Sequence, residues 1–209
     1  MGLDITWAVD WVRRSADVIS EHRVELITLD REIGDGDHGE NMDRGFQAVL
    51  PKLDDLPAGS TPGDVLKLVA TTLISTVGGA AGPLYGTAYL KGAVAAGSET
   101  SLDGPAIAAV LTAARDGIVM RGKAESGDKT MVDAWTPAVD AADAAAASAP
   151  LPAADSAAST AGVQASIMVL SPGSALPRST IPSRAAASTA ATAAPSSVAS
   201  EPAATAPFR

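Results

Sequence analysis

Residues 29–45 read LDREIGDGDHGENMDRG, a short segment that holds Asp30, Asp35, Asp37 and Asp43 together with four glycines and His38. One residue separates Asp35 from Asp37, so in an extended or turning backbone both carboxylates reach the same side, and Asp30 approaches from a neighbouring direction. Converging carboxylates repel one another unless a cation sits between them, and hard divalent ions such as Mg2+ take oxygen ligands of this kind. The segment therefore reads first as a metal site. Magnesium keeps positions open for water and for phosphate oxygens, so it would supply the positive charge with which an acidic protein holds an anion. Aspartate and glycine also build ordinary solvated turns, and the segment alone leaves that alternative standing. An EF-hand is excluded, because Gly39, Glu40 and Phe46 stand where its loop needs an oxygen ligand, a glycine and a bidentate glutamate. A P-loop is excluded too, since GDGDHGEN carries Glu-Asn where Lys and Ser or Thr must follow.

His38 stands among the candidate ligands, where it can donate to a phosphate, ligate a metal, act as acid or base, or simply occupy the turn. Asn41 and Asp43 are expected to cap the next helix, whose first backbone N–H groups could bind an anion. Two further stretches draw attention. TVGGAAGPLYGT, residues 76–87, has four glycines and a proline in twelve residues, so a ligand can approach its backbone closely, though a plain interhelical turn has the same composition. RGKAESGDKTMVDAW, residues 121–135, joins a basic cluster to a helix start, or is a solvated charged loop.

Helices must position these segments. From residue 4 to about 29, Ile5, Val9, Val12, Ala16 and Ile19 recur at the spacing of one helical face and predict a long amphipathic helix. STPGDVLKLVATTLISTVGG predicts a helix with Thr61 as N-cap, Pro62 at its first position, Asp64 near the positive end of its dipole, and a stop at Gly78-Gly79. Further helices are predicted from Pro83 to Gly97, from Ser101 to Gly122, and over SGDKTMVDAWTPAVDAADAAAASA, with Pro137 placed to kink the last. Aromatics are only 3% of the chain and alternating patterns are scarce, so strands are not expected. The fold class is all-α: antiparallel helices with short Gly-rich connections gathered at the ends of the bundle.

A length of 209 residues suits one folded unit. The formal net charge of −9 argues against nucleic-acid or anionic-membrane binding, because either partner demands a basic face. Without cysteine the chain has no thiolate metal site or thiol nucleophile. The N-terminus MGLDITWAVDWVRR lacks the pattern of a signal peptide and no apolar run is long enough to span a bilayer, so the expected location is the cytoplasm. Residues 1–150 are expected to form the helical domain and 151–170 one further partial helix. Of the 59 residues from 151 to 209, 41 are Ala, Ser, Thr or Pro and five are charged, so 171–209 is expected to be a disordered tail.

In this order, LDREIGDGDHGENMDRGF, GGAAGPLYGT and RGKAESGDKTMVDAW resemble the nucleotide-binding L subunit of the dihydroxyacetone kinases, phosphoenolpyruvate-dependent type. The resemblance covers residues 1–145 and implies an up-and-down barrel of eight antiparallel helices, with ADP or ATP held at one end through two Mg2+ ions. It assigns Asp30, Asp35 and Asp37 as metal ligands, and His38, Gly39, Glu40, Asn41, Ala80, Ala81, Gly122 and Met131 as nucleotide contacts. It further implies that the dihydroxyacetone is held by a separate K subunit and that bound ADP is recharged by a phosphoryl-carrying M subunit. A homodimer is left open. The chain departs from the family at Ala81, usually serine, and at the C-terminus, where a basic glycine-rich block and a closing apolar helix are missing or replaced. The segment from about Ser166 is read as an out-of-frame translation of a GC-rich gene. Those departures keep in view a catalytically impaired or regulatory Mg-nucleotide-binding module, and because the L unit of the family does not select the substrate, a kinase component for another small polyol or keto-sugar is a further alternative.

Overall fold

Local capping chemistry sets where three of the helices begin. The structure, a computed structural model, describes residues 2–32 and 34–148. In chain order its elements are β1 (Leu3–Asp4), α1 (Ile5–Glu21), α2 (Arg23–Arg31), α3 (His38–Asp54), α4 (Pro62–Thr76), α5 (Ala81–Ala96), β2 (Ser101–Leu102), α6 (Gly104–Gly122) and α7 (Val132–Ser148). Asp4 caps α1 by accepting from the Trp7 N–H at 3.1 Å, and Asp103 caps α6 by accepting from Ala106 at 2.9 Å. At α4 the expected Thr61 cap is present as a full capping box, with Thr61 Oγ1 accepting from the Asp64 N–H and the Asp64 carboxylate accepting from the Thr61 N–H. Two hydrogen bonds to the carboxylate hold the Asp64 pKa below its ordinary value.

The described residues form an all-α fold, as the sequence pattern predicts, with differences of detail. The first long helix breaks at His22, whose ψ of 8° lies outside the helical region, so the chain turns between α1 and α2. Helix α6 starts at Gly104 rather than Ser101, because Ser101 and Leu102 pair antiparallel with Asp4 and Leu3 in a two-residue ladder. Helix α7 starts at Val132, six residues later than the pattern suggests, and runs through Pro137. The partial helix expected at 151–170, the tail 171–209 and the segment read as out of frame lie outside the described residues.

Successive helices from α3 to α6 run in opposite directions. Gly63 at the start of α4 lies against the Gly97 carbonyl that ends α5, while Gly82 at the start of α5 lies against the Leu73 and Val77 carbonyls. Gly92 meets Val110, Gly117 meets Thr87 and Gly122 meets Leu84, so α5 and α6 are likewise antiparallel. At Gly63 and Gly82 glycine lets backbones approach where a Cβ would collide with a carbonyl oxygen. One core cluster, around Val12, Ile19, Met42, Phe46, Val49, Val69 and Leu73, joins α1, α3 and α4. A second, around Leu66, Leu102, Leu111, Ile118, Trp135 and Val139, joins α4, α6 and α7. The alternation places the α2–α3, α4–α5 and α6–α7 connections at one end, where the N-termini of α3, α5 and α7 all open.

Candidate functional site

The acidic loop is organised by one of its own carboxylates. Asp30, next to last in α2, accepts the N–H groups of Asp37 at 3.0 Å and His38 at 3.2 Å on a single oxygen, Oδ2. Asp37 sits at the N-cap of α3 but makes no side-chain cap bond, so Asp30 supplies that cap from the preceding helix. Gly34 faces Asp30 closely enough that a Cβ there would lie 2.4 Å from Oδ1. Gly36 takes a φ of +75°, a left-handed turn that favours glycine. The result is convergence: one carboxylate oxygen each from Asp30, Asp35 and Asp37 lies within 4.8 Å of the others, with Asp30 half-buried and the other two exposed.

The donor set fits a hard divalent ion. At a Mg–O distance of about 2.1 Å, oxygens on opposite sides of an octahedral ion stand about 4.2 Å apart. Neighbouring positions on the same ion stand about 3.0 Å apart, so the three aspartates must draw inward from their 4.8 Å limit to share one cation, and the exposure of Asp35 and Asp37 leaves room for that movement and for water and phosphate oxygens.

The first turn of α3 carries four of the expected nucleotide contacts. His38 is half-buried, and Gly39 is buried against α2, where a Cβ would meet the Arg23 carbonyl oxygen and Ile27. Glu40 is ion-paired with Arg23, whose guanidinium also stands 4.0 Å from the Asp43 carboxylate. Asn41 is only 6% exposed and bonds Arg44. Asn41 and Asp43 are therefore not caps, as their residue types suggest, but fourth and sixth residues of a helix that starts earlier because Asp30 caps it.

The second stretch meets the first directly. Gly78 lies over the Asn41 carboxamide, and Arg44 donates to the Thr76 carbonyl that ends α4. Ala80 is the N-cap of α5 and Ala81 its first residue, and Ala80 makes no side-chain cap bond. At the third stretch, Gly122 ends α6 against Leu84, and Lys123 follows in the left-handed region at φ 59°. Asp133 accepts the Gly127 and Lys129 N–H groups at 2.6 and 2.8 Å, which folds the loop back onto the start of α7 beside half-buried Met131. Sequence reasoning assigned no role to Arg44 or Asp133. Their spacing, three residues after Asn41 and four after Lys129, was the signal available.

Three helix N-termini and a carboxylate cluster thus face one end of the molecule. Helix N-termini attract anions through unpaired N–H groups and a positive dipole end, while the carboxylates attract a cation. Together they suit a metal-bound polyphosphate.

The profile of the DAK2 domain matches residues 32–199, most of the chain, and the protein belongs to the DAK2 domain family. Among individual relatives, it is 45% identical over 140 residues to the PEP-dependent dihydroxyacetone kinase, ADP-binding subunit DhaL, of Escherichia coli (strain K12), covering 67% of this chain and 66% of that one. It is 43% identical over 142 residues to the PEP-dependent dihydroxyacetone kinase 1, ADP-binding subunit DhaL, of Listeria innocua, covering 68% and 70%. The alignments span about two thirds of these relatives' own length. The fold is similar to part of the dihydroxyacetone kinase from C. freundii, solved in complex with AMP-PNP and Mg2+, with a TM-score of 0.57 at 21% identity over 82% of this chain and 33% of that one. No helix among the described residues is long and apolar enough to cross a membrane.

Proposed function

We propose that this protein is the nucleotide-binding subunit of a dihydroxyacetone kinase, taking part in phosphate transfer from a Mg-bound nucleotide to dihydroxyacetone held on a partner subunit. The observation that carries the reading is the convergence of Asp30, Asp35 and Asp37 within 4.8 Å beside the N-terminus of α3. These carboxylates would hold the magnesium, two ions in the full site, whose chemistry when bound is to neutralise and orient the phosphate oxygens. Around it, the backbone at the starts of α3 and α5 would bind the phosphates, with His38, Gly39, Glu40, Asn41, Ala80 and Ala81 in contact. Gly122 and Met131 would border the nucleotide from the α6–α7 side. Phosphoryl transfer asks a protein mainly to position reactants and balance charge, so the arrangement needs no protein nucleophile. ADP stays bound as a coenzyme recharged by a phosphoryl-carrier M subunit, and the K subunit selects the sugar.

The test is calorimetric titration of ADP with and without Mg2+, on the native chain and on Asp35→Asn. The native chain should bind only with the metal, and the variant should bind much more weakly. Equally strong binding without metal would remove the basis of the reading. Ala81, where a serine hydroxyl is usual, favours a second reading as an impaired or regulatory nucleotide-binding module. Turnover measured with K and M subunits supplied separates the two, and turnover with other small keto-sugars tests the substrate.

A further inference from the structure

Asn41 presents a constraint that the metal loop does not explain. Its carboxamide is nearly buried, and a buried amide must find partners for both its oxygen and its NH2 group. Oδ1 accepts from Arg44 Nη2 at 2.5 Å. A guanidinium has no acceptor, so the oxygen must face Arg44 and the NH2 group must face away. Among the described residues no acceptor faces that NH2 group, yet it is not sealed off from solvent. It stands as an oriented donor without a protein partner, against Gly78 at the end where α3 and α5 begin.

The same guanidinium has a second attachment. Arg44 Nε and Nη2 donate to the Thr76 carbonyl at 3.3 and 3.2 Å, one of the carbonyls that the end of α4 leaves without a helical partner. A cation there also meets the negative end of the helix dipole. Arg44 therefore ties the first turn of α3 to the turn that leads into Ala80 and Ala81, and holds the Asn41 amide between them.

We infer that Arg44 is a positioning residue of the nucleotide site: anchored on the Thr76 carbonyl, it locks the Asn41 NH2 group toward a phosphate oxygen of a nucleoside diphosphate. The inference rests on the nucleotide-binding reading above. Only a forked, multi-donor cation makes both attachments, so lysine is a partial substitute.

The experiment is a double-mutant cycle read by Mg-ADP calorimetry on the full chain: native, Arg44→Met, Asn41→Ala and the double variant. Each single variant should weaken Mg-ADP binding about tenfold or more, the scale of a lost charge-assisted hydrogen bond. Arg44→Met should add little in the Asn41→Ala background, because its effect runs through that amide. A merely structural arginine would instead give losses that multiply, which overturns the inference. Native-like affinity in Arg44→Met overturns it as well. Should Arg44→Met not fold by circular dichroism, Arg44→Lys replaces it, with intermediate affinity expected and native affinity counting against the bridge. Failure of the native chain itself to bind Mg-ADP defeats the nucleotide reading and this inference with it, and is distinct from a null effect at Arg44.

Discussion

Gly39→Ala sets two effects against each other. Helix propensity favours alanine over glycine by up to about 1 kcal/mol, so on local grounds the change stabilises α3. Packing opposes it. A Cβ at residue 39 would lie 2.1 Å from the Arg23 carbonyl oxygen, 3.1 Å from its carbon and 3.0 Å from Ile27 Cγ1. Comfortable carbon contacts are about 3.5 Å, so α2 must retreat by roughly an ångström, and a backbone carbonyl cannot rotate aside as a side chain does. Overpacking of this kind costs about 1–3 kcal/mol, which exceeds the propensity gain over most of its range. At about 2–4 °C per kcal/mol for a chain of this size, the melting temperature should fall by several degrees. Retreat of α2 also pulls Asp30 from the N–H groups of Asp37 and His38, so Mg-ADP affinity should drop with stability. Gly92→Ala is the control. Its Cβ would meet Val110 Cγ1 at 3.3 Å, the Val110 carbonyl oxygen at 3.6 Å and Leu66 Cδ1 at 3.7 Å, a fit that needs a shift of only a few tenths of an ångström, so the propensity gain survives and its stability should equal or exceed that of the native chain by up to about 1 kcal/mol. Urea unfolding followed by circular dichroism gives both values. A Gly39→Ala protein as stable as the native chain, and binding Mg-ADP equally well, would refute the close α2–α3 crossing as the reason for glycine.

Two predictions concern pH. The Asp64 pKa is held below its ordinary value of 3.8, chiefly by the Thr61 N–H and then by the Thr61 hydroxyl, so its stabilising contribution is present above that value and lost as pH falls through the folded-state pKa. Acid unfolding of Asp64→Asn should therefore show a smaller fall in stability below about pH 4 than the native chain, and identical acid profiles would deny the capping box an ionic role. Burial pushes the Tyr85 and Tyr89 phenols above their ordinary value of 10.0, Tyr89 further because Tyr85 is beside it. These are the only two tyrosines in the chain, so ultraviolet titration at pH 10.0 should show less tyrosinate than the half-ionised level of free tyrosine while the fold holds. Stability should be unaffected by them below that pH and fall above it, where the unfolded chain ionises. Tyrosinate appearing at its ordinary pH in the folded protein would place these rings in water.

The legible parts of this protein were those written in local chemistry. Thr61, Pro62 and Asp64 announce the start of α4 because a cap, a fixed φ and an acidic first turn act within four residues. The pairing of Asp35 with Asp37 suggests convergent carboxylates for the same reason. Where partners are distant, the pattern misled or fell silent. Residue types point to Asn41 and Asp43 as caps, but α3 starts at His38 because its cap, Asp30, belongs to the previous helix. Ser101 and Leu102 were read as helix because nothing nearby shows that residues 3 and 4 will pair with them. His22 carries no breaker signature, yet the chain turns there.

By itself, the sequence determined the helical class, the acidic character and the three stretches proposed to bear the site, since residue type, period and capping are properties of short windows. Only the tertiary structure decided that these stretches share one end, that Asp30 both caps α3 and joins the acidic cluster, and that Arg44 binds Asn41 to Thr76. Those facts depend on contacts between residues up to dozens apart, and such contacts arise when antiparallel helices bury their apolar faces against one another.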